Sequence, residues 1–226
     1  MRAVHVAIPD VPARPDCPVV VVDVIRAFTT AAWVFDGGAR LLALAATDDD
    51  ALAVKARLGA DALAIKDYPQ TEGFDLGNSP GTIRETDLTG RPVVQRTNNG
   101  TVGVHAARHA PLVLCGALVN ASATARTLRE TGADEVLYVI TGRGGEAEED
   151  IAGADLIHAL VTEGVAPPGI SERVRESHNA HRLRGRLADG YPGYHADDID
   201  LSATIDSFDF TMVAVERDGL IVVDRV

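Results

Sequence analysis

The chain has 226 residues, nearly half of them apolar, which is enough to bury a sizeable core without a structural metal or disulfide. Its formal net charge of −12, from 21 basic and 33 acidic side chains, opposes generic attraction to nucleic acid or anionic lipid. Cys17 and Cys115 are too few for a disulfide framework. With no signal-peptide pattern and no membrane-length apolar run, the expectation is a soluble, cytoplasmic protein.

Pro18 to Val22 is a continuous Val run, the pattern of a strand buried on both faces. Ala27 to Phe35 reads as a helix closed by Gly37-Gly38, and Leu41 to Ala45 as a second strand. Asp48-Asp49-Asp50 supplies N-cap oxygens and favourable charge to a helix over Ala51 to Leu58. Strand-like runs follow at Ala62 to Ile65, Pro92 to Gln95, Leu112 to Leu114 and Glu135 to Ile140. They alternate with helices over Val102 to Arg108, Ala121 to Thr131 and Ile151 to Glu163. After Pro167-Pro168-Gly169, Ser171 to Ala188 reads as one Arg-rich helix, so the stretch 166–198 is expected to form a lid or small helical subdomain. Phe210 to Val226 reads as a β-hairpin turning at Arg217-Asp218-Gly219. The fold class is therefore α/β, a single domain of three α/β/α layers around a mostly parallel or mixed sheet, with a C-terminal hairpin.

In open α/β sheets, ligands bind beyond the carboxyl ends of strands, where helix N-termini and loop N–H groups gather. Asp23 and Arg26 follow the first strand, an acid and a guanidinium about one helical turn apart. Arg26 is placed to neutralise a bound anion, and Asp23 to serve as metal ligand, nucleophile or helix cap. Arg96-Thr97-Asn98-Asn99-Gly100-Thr101 puts amide groups before a helix N-terminus, which suits a phosphate or carboxylate oxygen and also suits an ordinary tight turn. Asn120 ends the segment after Leu112 to Leu114, and Thr141-Gly142-Arg143-Gly144-Gly145 follows Ile140. Glu146, Glu148, Glu149 and Asp150 are more carboxylates than a helix end needs, and paired hard oxygens beside an anion site are what Mg²⁺ binds. The pairs His105/His109 and His178/His181 lack an accompanying ligand pattern and read as surface or packing residues; Cys115 reads as core.

Together these residues resemble the 2-phosphosulfolactate phosphatase (ComB) family. The resemblance runs through Val21-Val22-Asp23-Val24-Ile25-Arg26-Ala27, Gly73-Phe74-Asp75-Leu76-Gly77-Asn78-Ser79-Pro80, Thr97-Asn98-Asn99-Gly100-Thr101, Asn120-Ala121-Ser122, Glu149-Asp150 with Ala152-Gly153, and Asp206-Ser207-Phe208-Asp209. It implies a Mg²⁺-dependent α/β enzyme, a homodimer, hydrolysing the phosphate monoester of a short sulfonated hydroxy acid. On that reading Asp23, Arg26, Asn99 and Asp150 are the catalytic candidates. Asp23 with Glu149 or Asp150 holds the metal, and Asn78, Ser79, Thr97, Asn98, Gly100, Thr101, Asn120 and Arg143 bind the substrate. Arg143 or Arg96 would take its sulfonate or carboxylate end. The chain departs from the family pattern at Ile65-Lys66-Asp67, where Gly-Glu-Arg is usual, at Thr82 in place of Glu, and at Asn98 in place of Thr with Arg96 before it. Two further readings stay open: an anion-binding homologue without hydrolysis, and a phosphatase of another phosphorylated hydroxy acid.

Overall fold

A computed structural model describes residues 1–69 and 71–226. Ten strands form one mixed sheet in the order β1-β8-β2-β7-β9-β10-β3-β6-β4-β5. They are β1 (Arg2–Ala7), β2 (Val19–Val22), β3 (Leu41–Ala45), β4 (Leu63–Lys66), β5 (Leu76–Gly77), β6 (Pro92–Arg96), β7 (Val113–Gly116), β8 (Glu135–Ile140), β9 (Met212–Arg217) and β10 (Leu220–Arg225). The helices are α1 (Ala27–Asp36), α2 (Asp48–Leu58), α3 (Pro80–Arg84), α4 (Gly100–Ala107), α5 (Ala121–Thr131), α6 (Glu148–Thr162), α7 (Ile170–Arg175), α8 (His178–Ala188) and α9 (Asp198–Ala203). None of them is long and apolar enough to cross a membrane.

The sheet consists of two parallel halves, β1-β8-β2-β7 and β3-β6-β4-β5, joined by the antiparallel C-terminal hairpin β9-β10. The hairpin turns at Asp218-Gly219, both at positive φ (53° and 72°), the backbone that a two-residue turn matched to strand twist requires. Its strands read as a hairpin in the sequence, but their insertion at the centre of the sheet does not, because pairing partners are set by the whole fold. Successive strands twist by roughly 20–25°. The five steps from β2 to β6 therefore turn the strand direction by roughly 100–125°, and this swings the carboxyl ends of two oppositely running halves toward each other.

Strand alternation explains the Val run. Val19 and Val21 face a layer made by α1, α3 and α4, packing with Phe28, Ile83 and Val104. Val20 and Val22 face the opposite layer, against Leu128 of α5 and Leu156 and Ile157 of α6, while Ala43 and Val222 meet Ala51 of α2 on that same side. The result is a three-layer α/β/α body, and Cys115 is fully buried in its core.

Two local expectations are corrected. The Arg-rich stretch is two helices, α7 and α8, because Ser177 ends the first and caps the second by accepting from Ala180 N. The cap of α2 is Thr47, which accepts from Asp50 N at 3.1 Å; Asp48 instead bridges Lys66 Nζ (2.5 Å) and Arg96 Nε (2.8 Å). Strands β1 and β5 and helices α3 and α9 were not expected: β1 is a half-buried edge strand and the others are six residues or fewer, too short for a periodic signal.

Candidate active site

A pocket of about 280 Å³ opens where the strand ends converge. Asp23 enters it directly after β2, Asp67 and Tyr68 after β4, Asn78 after β5, Asn98 and Asn99 after β6, and Thr141, Gly142 and Arg143 after β8. Glu149 and Asp150 come from the first turn of α6, and Asn179, Arg182 and Arg186 from α8. Asp23 Oδ1 accepts from Ala27 N at 3.0 Å, so the side chain steadies the start of α1 while facing the pocket. Gly100 opens α4 hard against it: a Cβ there would lie 2.8 Å from Asp23 Oδ2 and 2.6 Å from the Ala27 Cβ. Only glycine lets the α4 N-terminus approach so closely.

Four carboxylates therefore share the pocket, and each is held differently. Asp150 accepts from Val24 N (2.8 Å) through one oxygen and from Gly142 N (3.0 Å) and Thr141 Oγ1 (3.3 Å) through the other. Asp67 accepts from Asn78 Nδ2 (2.9 Å) and from Asn98 N (2.8 Å). Glu149 Oε1 accepts from Asn179, while Glu149 Oε2 is buried without a hydrogen-bond partner among the described residues. Burial pushes the Asp23 carboxyl up to about 7, reinforced by the negative charge of Asp67 and Glu149 and opposed by its bond from Ala27 N. Burial, then Asp23 and Glu149, likewise hold Asp150 well above the carboxylate range. Among the described residues no three His, Cys, Asp or Glu side chains stand close enough together to chelate an ion unaided. The carboxylates are near enough to repel one another and are spaced apart by their own amide donors.

Arg26 is almost fully buried and fixed from behind. Its Nη1 donates to Asp198 Oδ2 (2.6 Å) and to Gly193 O (2.9 Å), and its guanidinium lies over the Tyr194 ring at 4.5 Å. Asp198, on α9, also accepts from Ser79 Oγ (2.7 Å), Gly81 N (3.0 Å) and His195 N (3.1 Å).

Of the sequence candidates, Asp23, Arg26, Asn78, Asn98, Asn99, Arg143, Glu149 and Asp150 line the pocket together. Ser79, Thr97, Gly100, Thr101 and Asn120 do not, and their partners explain why. Ser79 caps α3 and holds Asp198. Thr97 and Thr101 cap each other's backbone N–H reciprocally at 3.0 Å, which braces the turn that presents Asn98 and Asn99. Asn120 spends its amide on Ala117 N and Cys115 O, away from the pocket. Arg96 is drawn off by Asp48 and Asn98 and does not reach the pocket. The sequence reading missed Asp67 as a lining residue, and with it Tyr68, Asn179, Arg182, Arg186, Tyr194 and the anchor Asp198. Asp67 had a signal, an acid just past the Ala62 to Ile65 strand run; the others lie on helices and loops with no motif. The four histidines stay outside: His105 bonds Leu44 O at 3.0 Å, His109, His178 and His181 are exposed, and none lines the pocket.

Comparison with known proteins gives this arrangement a context. Residues 6–217 match the sequence family described as 2-phosphosulpholactate phosphatase. The chain belongs to that family. It is 42% identical over 150 residues to a probable 2-phosphosulfolactate phosphatase of Thermus thermophilus, covering 65% of this chain and 59% of the relative. The corresponding Deinococcus radiodurans protein is 40% identical over 140 residues, covering 61% and 58%, and that of Bacillus subtilis 29% identical over 210, covering 88% and 87%. The chain thus spans about three fifths of the first two relatives and most of the third.

The strings that carried the resemblance do different work within this member of the family. Gly77 backs onto Gly193, where a Cβ would lie 2.8 Å from the Gly193 Cα, so the Gly73 to Pro80 string clasps the 191–198 segment that fixes Arg26. Asn120-Ala121-Ser122 and Asp206 to Asp209 grip one another: Asp206 accepts from Ser122 N (2.8 Å) and Ser122 Oγ (2.6 Å) and caps α5 well away from the pocket.

Proposed function

We propose that the chain hydrolyses a small acidic phosphomonoester with the help of Mg²⁺, 2-phosphosulfolactate first among the candidates, releasing sulfolactate and phosphate. The observation that carries the reading is the pocket floor: buried Asp23, Glu149 and Asp150 beside a guanidinium held by Asp198, in front of the Asn98-Asn99 turn. Family membership and the names of the relatives support it.

The donor set fits a hard divalent cation. A buried glutamate oxygen without a partner among the described residues, and an aspartate made reluctant to ionise by burial and then by its acidic neighbours, are groups that a cation would satisfy. Glu149 Oε2 and Asp23 would hold it, with retained waters, since Mg²⁺ commonly takes only one or two carboxylates from its protein. Asp150 has both oxygens engaged by N–H and hydroxyl donors, which makes it a brace for the Val24 and Gly142 loops. When bound, Mg²⁺ supplies neutralisation of the phosphoryl oxygens and Lewis-acid polarisation of phosphorus.

The remaining work falls to side chains. Arg26 offers its free N–H groups to a phosphoryl oxygen, and the first turn of α4 turns its N-terminal dipole toward the same place. Hydrolysis joins a water oxygen to phosphorus as the ester P–O bond breaks; one water proton passes to a pocket carboxylate, and solvent water protonates the leaving oxygen. Direct attack by water is favoured over an aspartyl phosphate by the seating of Asp23. One oxygen is tied to Ala27 N, and the other is the one that would hold the cation, so neither is free to attack phosphorus.

The test is phosphate release from a panel of phosphorylated hydroxy acids, with Mg²⁺ and with chelator. Metal-dependent release, fastest from the sulfonated ester, is the expected result. No release from any ester would favour an anion-binding homologue without hydrolysis. Stereochemistry at phosphorus separates the two routes: a chiral phosphoryl group is inverted if water attacks directly, whereas net retention would establish an aspartyl phosphate.

A further inference from the structure

We propose that α8 is the specificity element of the site: Arg182 and Arg186, with Arg143 opposite, form a subsite for a second strong anion, a sulfonate or carboxylate carried on the substrate's tail. The inference rests on the phosphatase reading for its orientation but not for its chemistry.

The argument starts from which arginines have partners. On α7 and α8, Arg173 pairs with Asp155 (2.9 Å), Arg175 with Asp200 (3.1 Å) and Arg184 with Glu176 (4.0 Å), as expected in a chain with 33 acidic side chains. Among the described residues the Arg182 side chain makes no hydrogen bond or ion pair, and neither do the side chains of Arg186 and Arg143; all three residues line the pocket. Arg186 stacks on the Tyr191 ring at 4.3 Å, which occupies the guanidinium face and leaves its N–H edge free. Arg182 and Arg186 are four residues apart and so share one face of the helix.

The helix is fixed in place rather than loosely hung. Ala180 and Leu183 are buried against Ile199, Ile25 and Tyr194, His178 N donates to Glu148 Oε2 at 2.8 Å, and Asn179 donates to Glu149. The same turn that steadies a candidate metal ligand therefore sets the reach of the two arginines. The pocket lining thus joins four carboxylates with three guanidiniums that have no hydrogen-bond or ion-pair partner among the described residues. A phosphate ester with a neutral tail would leave those three cations unanswered. A short ester with a second anion one or two carbons from the phosphate answers them with charge-assisted, often bidentate, bonds.

Each of R182A and R186A is expected to lower kcat/KM for 2-phosphosulfolactate by roughly ten- to hundredfold, mainly through KM. The loss on glycerol 2-phosphate, whose tail is neutral, should be at least about tenfold smaller. R184A, whose guanidinium turns to Glu176 outside the pocket, should leave both unchanged. Equal losses on the two esters, or no loss, would overturn the proposal. Calorimetry with 3-sulfolactate, which has no phosphate, provides a readout independent of turnover. Binding by the wild type that weakens at least about tenfold in R182A and R186A sustains the subsite even if no ester is hydrolysed. Failure of the wild type to bind, or equal binding by the variants, refutes it.

Discussion

Replacing Asp23 by Asn should stabilise the protein while disabling the site. The Asp23 carboxyl is raised from 3.8 to about 7 by burial and by Asp67 and Glu149. At about 1.4 kcal/mol per pH unit, keeping it ionised in the folded protein at pH 8 costs on the order of 4 kcal/mol. Between about pH 4 and pH 7 the unfolded chain has released this proton and the folded chain retains it. The folded state then binds more protons, stability falls as pH rises, and above about 7 the dependence flattens. Asn removes the charge, keeps an oxygen for Ala27 N, and can turn its NH₂ toward neighbouring carboxylates. In chelator at pH 8, D23N should therefore melt higher by roughly 8–16 °C, taking about 2–4 °C per kcal/mol for a chain of this size. At pH 5 its advantage should shrink to under about 2 kcal/mol, because wild-type Asp23 is then protonated in the fold. Thermal unfolding of both proteins at a series of pH values checks the slope, and phosphate release checks the loss of activity. A D23N protein no more stable than wild type at pH 8, or more stable by an amount independent of pH, would refute the electrostatic account of the pocket floor.

Millimolar Mg²⁺ should raise the wild-type melting temperature more at pH 8 than at pH 5, since protonated carboxylates offer no charge to a cation; E149Q should lose most of that gain. D198N leaves the buried Arg26 guanidinium without its counter-charge and should cost roughly 3–5 kcal/mol in urea unfolding. Because Arg26 is no longer held, its residual activity should fall further than its folded fraction. G100A drives a methyl group into Asp23 and the Ala27 side chain and should destabilise by about 1–3 kcal/mol, with loss of phosphate release.

What was legible in the sequence was what local pattern encodes. The Val run of β2, the Asp-Gly hairpin and the Ala-rich helices declare themselves through burial periodicity and turn chemistry, and strand-end logic then gathers Asp23, Asn98, Asn99, Arg143, Glu149 and Asp150 correctly into one pocket. What escaped was contact between distant segments. Asp198 lies 172 residues from Arg26, and nothing local marks it as the anchor of that guanidinium. The Gly73 to Pro80 string carried the family resemblance and put Ser79 among the substrate-binding candidates, yet Gly77 and Ser79 serve to seat the 191–198 segment. The same string type can cradle a ligand or another loop, and only coordinates distinguish the two.

Apart from Thr82, which sits in α3, the departures from the family pattern form one physical unit. Asp67 accepts from Asn98 N, Asn98 Oδ1 accepts from Arg96, Arg96 and Lys66 both bind Asp48, and Lys66 lies over the Phe74 ring at 4.9 Å. An acid at 67 therefore brings its own scaffold: it fixes the 98–99 turn from one side while Arg96, held with Lys66 by Asp48, fixes it from the other. Asp48 takes up one of those two positive charges beyond the pocket. Asp67 lines the pocket itself, and its negative charge helps to raise Asp23 after burial. A pocket with that negative charge needs more cation to take a doubly charged ester, and Arg182 and Arg186, whose side chains have no ion-pair partner among the described residues, line it to provide that charge.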